Sequence, residues 1–315
     1  MKRRMEQTAF IFPGQGAQFV GMGKELADTF GSAKAVFEEI DEALGESFSD
    51  LIWNGSEEDL KLTANTQPAL MAVSLAAVRA LEAEFGVKIA SGKYVAGHSL
   101  GEYSALAAAG ALSVGDAAKL LRFRGESMQK AVAPGDGAMA ALLGATIEQA
   151  EAACDAVDGV CEVANDNAPG QVVVSGAKAA VEGAIAWAKD NGIKKGVLLP
   201  VSAPFHCSLM QPAADAMEAA LASVALTAPS IPVYANVTAA PVSDVDSIRK
   251  LLVEQVTARV RWRESVEAMA AEGITTMVEC GAGKVLSVMN RRTAKAINGV
   301  TLGTPEELEK FASSI

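Results

Sequence analysis

The sequence is poor in the residues that build metal centres. It has only two histidines and four cysteines in 315 residues, and Cys154, Cys161, Cys207 and Cys280 form no CxxC pair. A zinc site is therefore not expected, and scattered cysteines in a chain this long fit a reducing cytoplasm. Basic charge is also short, the net charge being −11. Nucleic-acid binders carry a basic excess, so that class is not expected. There is no long hydrophobic run. The most apolar helical stretch, Ala69 to Leu81, is broken by Arg79 and is too short to span a bilayer. The charged start, Met1 to Gln7, leads only into Ala9 to Phe12, too short for a signal-peptide core. A soluble cytoplasmic protein with no membrane association is expected.

Aromatic residues make up only 5% of the chain, although half of it is hydrophobic. Ala, Val, Leu and Gly dominate, which suits close-packed helices on a buried sheet. No low-complexity tract or solenoid repeat is present. The length suits one large domain with a smaller insertion. The positive charges are unevenly placed: Arg259, Arg261 and Arg263 alternate, and Lys284, Arg291, Arg292 and Lys295 follow. Such a group is either a solvated face or a docking patch for an acidic partner.

Short apolar runs alternate with helical patterns. Ala9 to Phe12, Tyr94 to Gly97 and Thr276 to Cys280 read as buried strands, the first stopped by Pro13-Gly14 and the last by Gly281. A helix start is expected near Thr66-Gln67-Pro68, where Thr would cap and an early Pro would fit. Alternating strands and helices imply a mainly parallel sheet covered on both faces. Residues 134–200 differ. Strands at Met139 to Leu143, Val160 to Ala164, Val172 to Ser175 and Gly196 to Leu199 interleave with helices at Ile147 to Ala156 and Lys178 to Asp190. Asn165 to Gly170 is read as the turn between the middle strands. That strand-helix-strand-strand-helix-strand order is a ferredoxin-like unit. The fold class is therefore α/β, a larger domain of residues 1–133 and 201–315 with an inserted subdomain at 134–200. A cleft is expected between them.

The strongest chemical signal is Gly97-His98-Ser99-Leu100-Gly101. It fits G-x-S-x-G, with a strand before it and a small-residue helix after it. Such an elbow throws a serine hydroxyl out at the carboxyl end of the sheet. The following helix N-terminus makes the Leu100 N–H a natural oxyanion donor. A serine nucleophile needs a base, and two histidines leave little choice. His98 sits beside Ser99, so its side chain should diverge. His206, in Ser202 to Cys207, follows the inserted unit and borders the expected cleft, so it is the base. No acid announces itself as a third member. Asp215 and Glu218 lie on a downstream helix, with nothing placing them near His206. A backbone carbonyl is the alternative. Gly14-Gln15-Gly16 after the first strand lacks the third glycine of a dinucleotide fingerprint. It reads either as a second oxyanion donor or as a plain strand-to-helix turn.

Taken together, these pieces resemble the malonyl-CoA:acyl carrier protein transacylases and the acyltransferase domains of fatty-acid and polyketide synthases. The match runs along nearly the whole chain. It includes Phe12 to Gly16, Thr66 to Leu70, Gly97 to Tyr103, Arg124-Gly125, Asn165 to Gln171, Pro204-Phe205-His206 and Val260-Arg261-Trp262. The resemblance implies a hydrolase-like core with a ferredoxin-like insertion. It makes Ser99 the nucleophile and His206 the base, with Gln15 and Leu100 as N–H donors to the oxyanion. It implies that the Gln255 main-chain carbonyl orients His206. It also implies that Arg124 binds the malonyl carboxylate, a task that a planar guanidinium can perform with two parallel bonds. Without the resemblance, an ordinary surface arginine would serve as well. Phe205, Asn165 and Gln171 are implied as further substrate-binding residues. Phe before the His goes with malonyl, where a bulky ring crowds a branched α-carbon. The stretch Ala203-Pro204-Phe205-His206 departs from the full synthase-domain tetrad. A coenzyme A thioester is expected as substrate, with no permanently bound cofactor. The expected partners are malonyl-CoA and an acidic acyl carrier protein. The enzyme is expected to act as a monomer in type II fatty-acid synthesis, where a carrier would favour the docking reading of the basic patch.

Overall fold

The structure, a computed structural model, describes residues 5–315. Most of the charged start at Met1 to Gln7 lies outside the described residues. Among the described residues ten strands form two sheets. In chain order they are β1 (Thr8–Phe12), β2 (Tyr94–Gly97), β3 (Gly137–Leu143), β4 (Cys161–Ala168), β5 (Gln171–Ala177), β6 (Lys195–Leu198), β7 (Val233–Ala235), β8 (Ala240–Val242), β9 (Thr276–Cys280) and β10 (Asn298–Leu302). The larger sheet runs β10-β9-β1-β2-β7-β8 and is parallel except for β8. The smaller runs β4-β5-β3-β6 and is wholly antiparallel. That order is the split arrangement expected of residues 134–200.

The inner strands β1, β2, β7 and β9 of the large sheet are buried along their whole length, which is why they read as mainly apolar runs, while the edge strands β8 and β10 are partly exposed. Side chains alternate between two cores. Phe10, Phe12, Val95 and Val278 enter one hydrophobic cluster, while Ala9, Ile11, Ala96 and Met277 enter the other. The first cluster also takes the helix Thr63–Phe85, buried along nearly its full length. No described helix is long and apolar enough to cross a membrane.

Two local expectations are corrected. The helix placed at Thr66 begins at Thr63, and Pro68 lies inside it. Thr66 does not cap: its hydroxyl donates to the carbonyls of Leu60 and Leu62 at 2.6 and 3.2 Å. Tertiary packing holds the earlier turn, because Gly125 abuts it so closely that a Cβ would lie 2.5 Å from Ala64 Cα. The segment read as a turn, Asn165 to Gly170, is strand as far as Ala168. Its outer edge is satisfied by a distant segment. The Asp166 N–H donates to Val260 O at 2.9 Å, and the Val260 N–H to Ala164 O at 2.8 Å. Those bonds tie the small sheet to the large unit.

Candidate active site

β2 ends at the elbow. Ser99 has φ 53°, left-handed for a residue with a side chain. The flanking glycines make the turn possible. A Cβ on Gly97 would lie 1.9 Å from the Gly101 carbonyl, and one on Gly101 would lie 2.3 Å from Phe12 O. No other residue fits either place. Asn236, just beyond β7, staples the turn: Ser99 N–H donates to its Oδ1 at 2.7 Å, and its Nδ2 donates to Gly97 O at 2.7 Å.

Ser99 Oγ lies 2.8 Å from His206 Nε2. His206 Nδ1 lies 2.8 Å from the main-chain carbonyl of Gln255. A carbonyl only accepts, so Nδ1 carries the proton and Nε2 is left to accept from the serine. Burial, and next the Arg124 charge, hold His206 down at about 3. The imidazole is thus neutral and free to take a proton. His98, the other histidine, points elsewhere: its Nε2 lies 2.8 Å from Asn167 Oδ1.

Arg124 comes from the helix Val114–Ala131 and is 1% exposed. Its Nη2 donates to Ser99 Oγ at 3.1 Å and to Gln255 Oε1 at 2.9 Å, and its Nη1 to Gln67 Oε1 at 2.8 Å. All of these partners are neutral, and Arg124 forms no ion pair among the described residues. A buried guanidinium in that condition calls for an anion. The nearest acid, Glu102, is turned to other partners. It accepts from Gln255 Nε2 at 2.8 Å and from Asn236 N–H at 3.0 Å. Burial raises its carboxyl to about 7.

Ser99, His206, Arg124, Gln67 and His98 line one cavity of about 570 Å³, open mouth included, together with Gln15, Leu100, Met128, Met139, Asn165 and Phe205, while Gln255, Glu102 and Asn236 stand behind it. The backbone N–H groups of Gln15 and Leu100 have no hydrogen-bond partner among the described residues. Gln171 is not part of this lining. It pairs with Ala168 at the turn end of the β4–β5 hairpin, two residues beyond Val173, the partner of Asn165. Asp215 and Glu218 are absent from the lining as well. Among the described residues no group of His, Cys, Asp and Glu could hold a metal ion.

The basic patch divides. Arg259 pairs with Glu151, Arg261 with Glu264, and Arg263 with Asp166 and Glu267. Lys284, Arg291, Arg292 and Lys295 are exposed, and none forms an ion pair among the described residues.

Residues 9–305 match the acyl transferase domain family. The chain belongs to that family. Among acyl transferase relatives, the malonyl CoA-acyl carrier protein transacylase of Bacillus subtilis strain 168 is 44% identical over 97% of this chain and 96% of its own. The transacylase of the same name from Escherichia coli K12 is 42% identical over 96% and 98%. The crystal structure of acyl-carrier-protein-S-malonyltransferase from Bartonella henselae superimposes with a TM-score of 0.95, at 53% identity and 98% coverage of both chains. A malonyl-transacylase solved in complex with a type II polyketide acyl-carrier protein has a TM-score of 0.94 at 38% identity, covering 98% of this chain and 99% of that one.

Sequence reasoning assigned no role to three residues of this acyl transferase site: Gln67, Glu102 and Asn236. Each is polar and buried. The available signal was a carboxylate or amide set among otherwise buried-type neighbours, as in Gly101-Glu102-Tyr103 and Ala235-Asn236-Val237. Asn236→Ala removes the acceptor of the Ser99 N–H and the donor to Gly97 O. Losing two buried hydrogen bonds costs about 2 kcal/mol of stability, and the strained elbow loses its brace. Thermal unfolding should come earlier, and kcat should fall by more than KM rises. An unchanged kcat would show that the elbow holds itself.

Proposed function

We propose that this chain moves a malonyl group from malonyl-CoA to the phosphopantetheine thiol of an acyl carrier protein, through an ester on Ser99. The observation that carries this reading is Arg124, a buried cation without a carboxylate partner, 3.1 Å from the Ser99 hydroxyl. A neutral acyl group would leave that charge unanswered, whereas the free carboxylate of malonyl would meet it with charge-assisted bonds.

His206 accepts the Ser99 proton through Nε2 as Oγ attacks the thioester carbonyl. The N–H groups of Gln15 and Leu100 receive the developing oxyanion. The Gln255 carbonyl fixes the imidazole tautomer and steadies its positive charge, a task that a triad carboxylate performs elsewhere. The thioester C–S bond breaks, and coenzyme A leaves as a thiol with the proton that His206 took from Ser99. The carrier's thiol then enters the same cavity, loses its proton to His206 and attacks the ester; the bond from the acyl carbon to Ser99 Oγ breaks, and Oγ takes the proton back from His206. All steps use side chains and backbone alone, with the coenzyme A thioester as substrate. Asn165 borders the path of the acyl chain. The exposed Lys284, Arg291, Arg292 and Lys295 offer positive charge to an acidic carrier. We also divide the chain into a large unit of residues 1–133 and 201–315 and an inserted unit of residues 134–200. The confinement of β3 to β6 between positions 137 and 198 supports that cut.

Phe205 is 8% exposed and lines the cavity. Its ring would crowd a methyl on the α-carbon of the acyl group. Phe205→Ser should raise use of methylmalonyl-CoA relative to malonyl-CoA by about tenfold. An unchanged ratio would free Phe205 of that role.

Carrier dependence tests the function as a whole. Malonyl-CoA with carrier protein should yield malonyl-carrier, and malonyl-CoA alone should release little free malonate. Rapid malonate release without carrier would make the chain a hydrolase instead.

A further inference from the structure

Two of the four cysteines lie side by side, away from the active site. Cys154 lies in the last turn of the helix Ile147–Asp155, and Cys161 opens β4. Their sulfurs are 3.3 Å apart. The other two thiols have backbone partners instead: Cys207 donates to Pro204 O at 3.1 Å, and Cys280 to Val278 O at 3.7 Å. Cys154 and Cys161 also line an open hollow of about 660 Å³, its mouth included, beside Glu151, Glu162 and Arg259. A small polar oxidant can therefore reach them, while Cys207 and Cys280 are fully buried.

We propose that Cys154 and Cys161 are an oxidation site, a dithiol that peroxide closes to an intramolecular disulfide in the folded protein. A disulfide needs sulfurs about 2.05 Å apart, so the pair must close by only about 1.3 Å. The last turn of a helix and the start of a strand, joined by a short loop, can supply that. Hydrogen bonding from Cys154 holds the Cys161 thiol below its ordinary range, while the same bond pushes Cys154 up. Of the two, Cys161 gives up its proton the more readily and attacks first as its thiolate. Its sulfur bonds to one peroxide oxygen and the O–O bond breaks, leaving a sulfenic acid and hydroxide. The Cys154 sulfur then attacks Cys161 Sγ. The S–S bond forms, the S–O bond breaks, and the oxygen leaves as water with the Cys154 proton. The hydroxide takes up the proton first lost by Cys161. One peroxide is reduced to two waters, and two thiols are oxidised.

The test treats the whole native protein briefly with hydrogen peroxide, then denatures and alkylates it. Intact mass and peptide mapping should show the loss of two hydrogens, alkylation of Cys207 and Cys280 only, and one peptide joining Cys154 to Cys161. Dithiothreitol should restore four alkylated thiols. Cys154→Ser and Cys161→Ser should each form no disulfide. The proposal is overturned by four alkylated thiols after peroxide, by sulfinic or sulfonic acid on a single cysteine, or by a disulfide that includes Cys207 or Cys280.

Discussion

Ser99→Ala should lower malonyl transfer by about a millionfold, the scale seen when a serine nucleophile that works with its base as a unit is removed. The loss should come without unfolding. The Ser99 N–H still has Asn236 Oδ1, and Gly97 O still has Asn236 Nδ2. The contacts of the deleted hydroxyl are His206 Nε2 at 2.8 Å and Arg124 Nη2 at 3.1 Å. Arg124 keeps both of its amide partners, so its setting is little changed from that of the parent. Thermal unfolding should stay close to that of the parent while turnover disappears. Turnover within tenfold of the parent, by a carrier-dependent assay, would place the nucleophile elsewhere.

Arg124→Ala should act selectively. Truncating one partner of a buried charged hydrogen-bond pair costs about 2–5 kcal/mol. At about 1.4 kcal/mol per tenfold, kcat/KM for malonyl-CoA should fall by about thirtyfold to about four-thousandfold. Acetyl-CoA carries no carboxylate for the guanidinium to meet, so its kcat/KM should fall far less. The ratio of the two is the diagnostic quantity, because loss of the Arg124 bond to Ser99 Oγ affects both donors alike. Equal losses would mean that Arg124 holds the serine and not the acyl group. Arg124→Lys should recover only part of the malonyl activity, since an ammonium keeps the charge but not the planar fork.

The parts of the fold that were legible in the sequence share one physical cause. β1, β2 and β9 are buried on both faces, so each is a short, mainly apolar run ended at a glycine, with Glu279 the one charged residue among them. The ferredoxin-like unit was legible because its strands and helices alternate in a strict order with short links. What was hidden depends on distant partners. Asn165-Asp166-Asn167 has the composition of a turn, and it remains strand because Val260 pairs with its outer edge. Arg259 and Arg263 look like free surface charge until Glu151 and Asp166 arrive from the inserted unit. The early start at Thr63 depends on Gly125, more than fifty positions away.

The same division runs through the site. Ser99 announces itself because its geometry is local: two glycines, a strand and a helix in a few residues. His206 could be found by scarcity. Glu102 and Asn236 could not, because their meaning lies in bonds to Gln255 and Gly97, more than a hundred positions away in the chain. Arg124 needed the family resemblance, since a guanidinium on an amphipathic helix reads as surface. Only its burial among neutral groups separates it from an ordinary arginine.

The central claim is a malonyl ester on one serine, and mass spectrometry reads it directly. The protein is incubated briefly with malonyl-CoA, then digested and mapped, with and without a following addition of carrier protein. One malonyl group should appear on the peptide holding Ser99 and vanish as malonyl-carrier accumulates, and the Ser99→Ala protein should stay unlabelled. A label on any other side chain, or transfer to the carrier with Ser99 never modified, would contradict it.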